Sequence, residues 1–206
     1  MANREKSWLV DIRNELKDVN PSTELAQWRK HSIYKVPACV KDLNPKAYAP
    51  QVVSFGPYHY GDEQLKPMEM HKHRALLHFL KRVEKPFEEF VSSLEEVVQE
   101  LQDSYQSLEE KWKQDKDEFL KLMIVDGCFM LEVLAVASGG KSGDYAFNDP
   151  VFSSHGMLYV VPYIKRDMLM IENQLPLLVL EKLVAVESGK APVSNIQPLL
   201  LSLFKN

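Results

Sequence analysis

The sequence predicts a mainly α-helical, multi-helix domain, and three observations carry that reading. Apolar residues recur at three- and four-residue spacing through most of the chain, prolines punctuate the periodic stretches, and only one short run has the character of a strand. The chain has 206 residues, 45% of them hydrophobic and 26% charged, which supplies one core, so residues 1–206 are read as a single helical domain.

Residues 3–19 form the first amphipathic stretch, with Trp8, Leu9, Ile12, Leu16 and Val19 at helical spacing and Asn20-Pro21 ending the pattern. A short helix is expected over Thr23–Lys30. From His31 to Gly61 the prolines at 37, 45, 50 and 57 exclude a long helix, and Gln51-Val52-Val53-Ser54-Phe55, ending at Gly56-Pro57, reads as a short strand entering a turn. Pro67 suits the first turn of a helix running to about Val83, with Met68, Leu76, Phe79, Leu80 and Val83 on its buried side. Pro86 opens the next, whose apolar positions from Phe87 to Trp112 keep a 3-4 repeat for about seven turns. These two helices are expected to pair as a long antiparallel hairpin.

Asp115-x-x-Glu118 resembles a capping box and precedes Phe119–Ala137, apolar nearly all the way round and therefore central. Ser138–Gly156 is a polar, glycine-containing connection. Tyr163–Glu172, Leu175–Glu187 and Ile196–Phe204 read as three shorter helices.

The formal charge of −4 hides a segregation. Lys66, Lys72, Arg74, Lys81, Arg82 and Lys85 crowd one segment, with His71, His73 and His78 between them, whereas residues 86–110 hold eight acids and no Lys or Arg. The opposite charges are expected to meet across the hairpin. The alternating charges of Met1–Lys6 lead into no unbroken apolar stretch, which argues against a secretory signal and for a cytoplasmic chain. Phe129–Ala137 and Leu175–Val186 fall short of the roughly 20 residues a bilayer crossing needs. Cys39 and Cys128 are too few for a disulfide scaffold and lack metal-ligand spacing.

His71-x-His73 with His78 is a poor metal set, because helical residues two apart point in different directions; a solvated basic face explains it better. Asp126 and Glu132, inside the most apolar helix, need partners or a reason to be there. One reading is a carboxylate with raised pKa acting as acid or base. The other is a buried ion pair, with Arg166 as the candidate cation, or a cap for the chain near Glu172-Asn173-Gln174. No nucleophile elbow, phosphate loop or matching base accompanies the acids, which favours the structural reading of Asp126, Glu132, Arg166, Glu172 and Asn173. Gly127 most simply admits a close helix. Asn173-Gln174-Leu175-Pro176 reads as an interhelical joint.

Read in order, Ile33-Tyr34-Lys35-Val36-Pro37, Tyr48-x-Pro50-Gln51-Val52-Val53-Ser54-Phe55-Gly56-Pro57-Tyr58-His59, Met68-Glu69-x-His71-Lys72, Asp126-Gly127-Cys128-Phe129-x-Leu131-Glu132, Asp149-Pro150-Val151-Phe152 and Arg166-Asp167-Met168-Leu169-Met170-Ile171-Glu172-Asn173-Gln174-Leu175-Pro176 resemble the plant family known as domain of unknown function 247. The resemblance runs from about Trp8 to Val186. It implies a plant protein with no established enzymatic activity and no cofactor, akin to longer members that often carry a hydrophobic segment near the C-terminus. Some members are implicated in pollen-side self-incompatibility in grasses. Because this chain ends at Asn206, it resembles the N-terminal half of a member, a short form or a truncation, and membrane anchoring does not carry over. Tyr60 stands where relatives often have a second histidine.

The expectation is a non-enzymatic interaction module with an unknown protein partner, capable of self-association through bare apolar faces near Leu175–Leu183 and Leu199–Phe204. No nucleic acid, cofactor or metal is expected. The alternatives are an enzyme using Asp126, Glu132 or Asp167, and a peripheral phosphate or membrane-surface binder using Lys72, Arg74, Lys81 and Arg82.

Overall fold

A computed structural model describes residues 6–18, 20–138 and 145–189. Among them run α1 (Ser7–Asp18), α2 (Pro21–Trp28), α3 (Ala38–Lys41), α4 (Pro45–Tyr48), α5 (Lys66–Val83), α6 (Phe87–Glu95), α7 (Val98–Asp103), α8 (Glu110–Gln114), α9 (Lys116–Ala137), α10 (Ser154–Tyr159), α11 (Val161–Met168) and α12 (Leu177–Ser188). The helix expected over Ile196–Phe204 lies outside the described residues, as does most of the glycine-rich part of the 138–156 connection.

The domain is built around α9. Asp115 caps it, its side chain accepting from the Glu118 amide at 3.0 Å, and fourteen of its residues, from Phe119 to Leu134, are buried. Its apolar circumference is covered mainly by α5 and α12, then by α6 and α8. At Gly127 the approach of α12 is so close that a Cβ would stand 2.5 Å from Leu183 Cδ1 and 3.0 Å from Val179 Cγ1. Val179, Leu180 and Leu183 are therefore buried, and the α12 face expected to be bare is covered.

The acidic stretch departs from its predicted single helix. It breaks at Val97 (φ −119°) and again around Ser107 (φ +53°), giving three short helices. Two gains explain the breaks. Leu101, Tyr105, Leu108 and Trp112 all reach the core, each at most 5% exposed, whereas a straight seven-turn rod would carry its far end away from α9. The unwound backbone at 104–106 also pairs with residues 32–33: Ser104 O accepts from the Ser32 and Ile33 amides, both at 3.0 Å, and the Gln106 amide donates to Ile33 O at 2.9 Å. That Ile33–Tyr105 bridge is the one β contact among the described residues. The expected strand at 51–55 pairs with no strand among the described residues.

The helices α5 and α6 meet where Phe79 and Phe90 touch edge to face, 5.6 Å between centroids. Among the described residues their charges do not pair across the joint. Lys72, Arg74 and Arg82 of α5 turn towards α9 and Asp149 and Lys66 pairs with Glu63, while Glu96 pairs with Lys182 of α12 and Asp103 with Lys30. Low-dielectric partners inside the fold outcompete solvated carboxylates on α6.

Candidate functional site

Residues 51–58 run through the interior as a strap belonging to no helix or sheet, so its buried amides need acceptors from side chains. Asp167, 0% exposed, accepts from the amides of Gln51 (2.9 Å), Val52 (2.7 Å) and Val53 (3.2 Å) through one oxygen. Asn173, also 0% exposed, accepts from the Phe55 amide at 2.7 Å and donates to Val53 O at 2.9 Å and Asp167 O at 3.0 Å. Asp126 accepts from the Gly56 amide at 2.8 Å. Gly56 sits at φ +69°, and a Cβ there would meet Tyr105 Oη at 2.7 Å and Gln174 O at 2.8 Å, so both conformation and space demand glycine.

Beyond the strap, Asp126 meets the Lys72 ammonium at 2.7 Å, and Lys72 also reaches Glu69 at 2.6 Å and Ser54 Oγ at 3.2 Å. Lys72 and Asp126 are both fully buried; Glu69, a third exposed, is the outer member. Burial pushes the Asp126 carboxyl up to about 6 against the pull of Lys72, and the negative Glu69 adds to the rise. Lys72 is held above its ordinary value: burial alone would lower it, and the two carboxylates around it win.

Glu132 forms a second buried cluster. It accepts from Arg82 Nη2 and from the Tyr145 hydroxyl at 2.7 Å, and Tyr145 stacks on Phe152 with centroids 4.1 Å apart. Asp149 accepts from the Val151 and Phe152 amides at 2.8 and 2.9 Å and faces Arg74 at 2.7 Å, tying the Asp149-Pro150 turn to α5. Glu172 accepts from the Val36 amide at 2.6 Å and from Lys41, with His59 Nε2 3.8 Å away.

These positions correct several expectations. Lys72 is buried, and Arg74 and Arg82 face carboxylates, so of the four cations expected to meet phosphate or a membrane surface only Lys81 stands exposed without an ion pair among the described residues. Arg166 is the partner of neither Asp126 nor Glu132; it bonds Asp167 at 3.0 Å and Lys46 O at 2.9 Å. Asn173 serves the strap, not the open end of α12. Sequence reading missed Lys72 as the mate of Asp126, although a signal existed: Lys72 falls on the stripe Met68, Ala75, Leu76, Phe79 that α5 buries.

In chemical terms Asp126 has the pKa of an acid–base group without access to a substrate. Solvent approaches the cluster through a groove of about 130 Å³ lined by Tyr60, Glu69, His73, Glu118, Lys121, Leu122 and Val125, and of the Lys72 cluster it touches Glu69 alone. Among the described residues no group of three or more His, Cys, Asp or Glu is placed to hold a metal ion, and no helix is long and apolar enough to cross a membrane. A larger, open groove of about 570 Å³ lies elsewhere, lined by Ala47, Tyr48, Arg166, Leu169, Met170 and Ile171.

Comparison with known proteins places the chain in a family. The chain is 38% identical over 174 residues to UPF0481 protein At3g47200 of Arabidopsis thaliana, covering 84% of this chain and 35% of that protein. It is 27% identical over 202 residues to the putative UPF0481 protein At3g02645 of the same plant, covering 97% of this chain and 35% of the relative. The chain thus spans about a third of the length of these relatives, and no solved structure matches it. The family model described as "plant protein of unknown function" matches residues 33–206, leaving α1 and α2 outside it, and the chain belongs to that family, domain of unknown function 247.

Proposed function

We propose that this chain is a non-enzymatic protein-interaction module acting in plant signalling or recognition. The observation that carries the reading is the fate of the interior acids. Asp126, Glu132 and Asp167, the groups an enzyme would need, are each at most 1% exposed and each is engaged with a cation, a tyrosine or the strap's backbone. The motif residues thus have a structural task that explains their chemistry without a substrate.

The surface adds to it. Trp8, Leu9, Ile12 and Leu16 of α1 and Leu25 and Trp28 of α2 are all 39% exposed or more, apolar area of a kind that protein contacts bury. The test is a hydrolase and transferase substrate panel run beside affinity capture from plant tissue. The proposal expects specific protein capture and no turnover. Reproducible turnover that disappears in Asp126→Asn or Glu132→Gln, with the helical circular dichroism intact, would overturn it in favour of an enzyme.

A further inference from the structure

The segment from Arg166 to Asn173 is inverted relative to an ordinary surface segment. Its polar residues Asp167, Glu172 and Asn173 are buried, at 0%, 4% and 0% exposure, while Leu169 and Ile171 stand 62% and 50% exposed. Interior packing does not require these two side chains outside, because Met168 and Met170 beside them supply the buried apolar contacts. Leu169, Ile171 and Met170 form one wall of the open 570 Å³ groove, and Ala47 and Tyr48 of α4 form the other. Arg166 lines it and bridges the walls by donating to Lys46 O.

The rim is positive. Lys46 is exposed next to Ala47, Lys165 is half-buried next to Arg166, and neither makes an ion pair among the described residues. The acids of the same segment point inward and leave Lys46 and Lys165 unanswered: Asp167 is held by the strap and by Arg166, and Glu172 by Val36 and Lys41. Tyr163, 51% exposed and one turn before Arg166 on α11, extends the apolar surface.

Resting on the interaction-module reading, we infer that this groove between α4 and the end of α11 docks an acidic amphipathic segment of a partner protein, apolar side chains against Leu169, Ile171 and Tyr48, carboxylates towards Lys46 and Lys165. The charge asymmetry selects the occupant: an uncharged apolar segment would leave the two unpaired cations Lys46 and Lys165 beside a closing interface, and a basic one would be repelled.

The experiment selects random displayed peptides of about 15 residues on the immobilised full chain, with counter-selection on Leu169→Ser/Ile171→Ser, an exposed pair whose loss leaves the core intact. The expected clones combine large apolar residues with an excess of Asp and Glu. A synthetic peptide of that consensus should bind the double variant at least about tenfold more weakly, and Lys165→Glu about threefold more weakly, with the latter difference shrinking at high salt. Clones that are predominantly basic, or no clone sensitive to the double variant, would overturn the groove. So would anionic vesicles that bind through Leu169 and Ile171 in place of peptide, or a dimer that the double substitution dissolves, which would make the occupant a membrane or a second copy. Peptides that bind both forms equally locate the partner elsewhere and leave the module reading standing, whereas turnover in the substrate panels would remove that reading itself.

Discussion

Replacing Asp126 with Ala tests the buried cluster at its centre. The substitution removes one of the two carboxylates around a lysine that is 0% exposed, and takes the acceptor away from the Gly56 amide. Breaking a buried pair by deleting one partner costs about 3–5 kcal/mol, and an orphaned buried amide about 1–3 kcal/mol. Because Glu69 remains at 2.6 Å from Lys72, the sum should stay near 3–5 kcal/mol, a large share of the roughly 5–15 kcal/mol typical of a folded protein. At about 2–4 °C per kcal/mol for a chain of this size, the melting temperature should drop by roughly 6–20 °C. Urea unfolding followed by circular dichroism measures it, with the midpoint falling by about 1–2 M. The companion variant Lys72→Met/Asp126→Leu replaces the pair with apolar volume and should recover most of the loss. A single variant that melts with the parent, or a double variant no better than the single, would refute the reasoning.

Three further outcomes follow from the same geometry. Asp126 is raised from 3.8 to about 6 in the fold, so the native state binds the extra proton between those values and this contribution is full below pH 4 and lost as pH rises through 6; relative to Asp126→Asn, the parent should lose about 3 kcal/mol between pH 4 and 7, read from denaturant melts at each pH, and a constant difference would contradict it. Gly127→Val should destabilise by about 1–3 kcal/mol or more, because even a Cβ meets Leu183 at 2.5 Å; an unchanged melting temperature would show that α12 yields freely. Asn173→Leu should cost about 2–4 kcal/mol in the same melts, since the Phe55 amide and two carbonyls lose their partner inside the core, and a loss below about 1 kcal/mol would mean that the strap re-satisfies itself.

The sequence revealed helices where one face or the whole circumference is apolar: α5 starts and stops within a residue of its predicted ends, and α9 stops at the predicted Ala137 but starts at Lys116, directly after its Asp115 cap and three residues before the predicted Phe119. It misled over residues 86–112, because periodicity reports which side chains face the core but not whether the backbone between them stays helical. Val97 and Ser107 break the helix with no Gly or Pro to announce it, for the sake of backbone bonds to Ile33 that are remote in sequence. The 51–56 run has β composition because Val53, Ser54 and Phe55 are buried, yet its amides are answered by Asp167, Asn173 and Asp126, a tertiary substitute for a neighbouring strand that no local pattern encodes. The motif residues could be picked out from the sequence as a set; that Lys72, Asp126, Asp167 and Asn173, from three separate motifs, meet at the 51–58 strap could not, since the bonds joining them to it span up to 120 positions.

Amide hydrogen exchange along the strap is the most direct test of the claim that these polar residues hold the fold together. The amides of Val53, Phe55 and Gly56 lie outside any helix or sheet, and each donates to a fully buried Asp or Asn. They should exchange about as slowly as the core amides of α9, through global unfolding alone, and Asn173→Ala should accelerate them before it affects α9. Exchange at Val53, Phe55 and Gly56 at the rate of an open loop, with α9 still protected, would contradict the account.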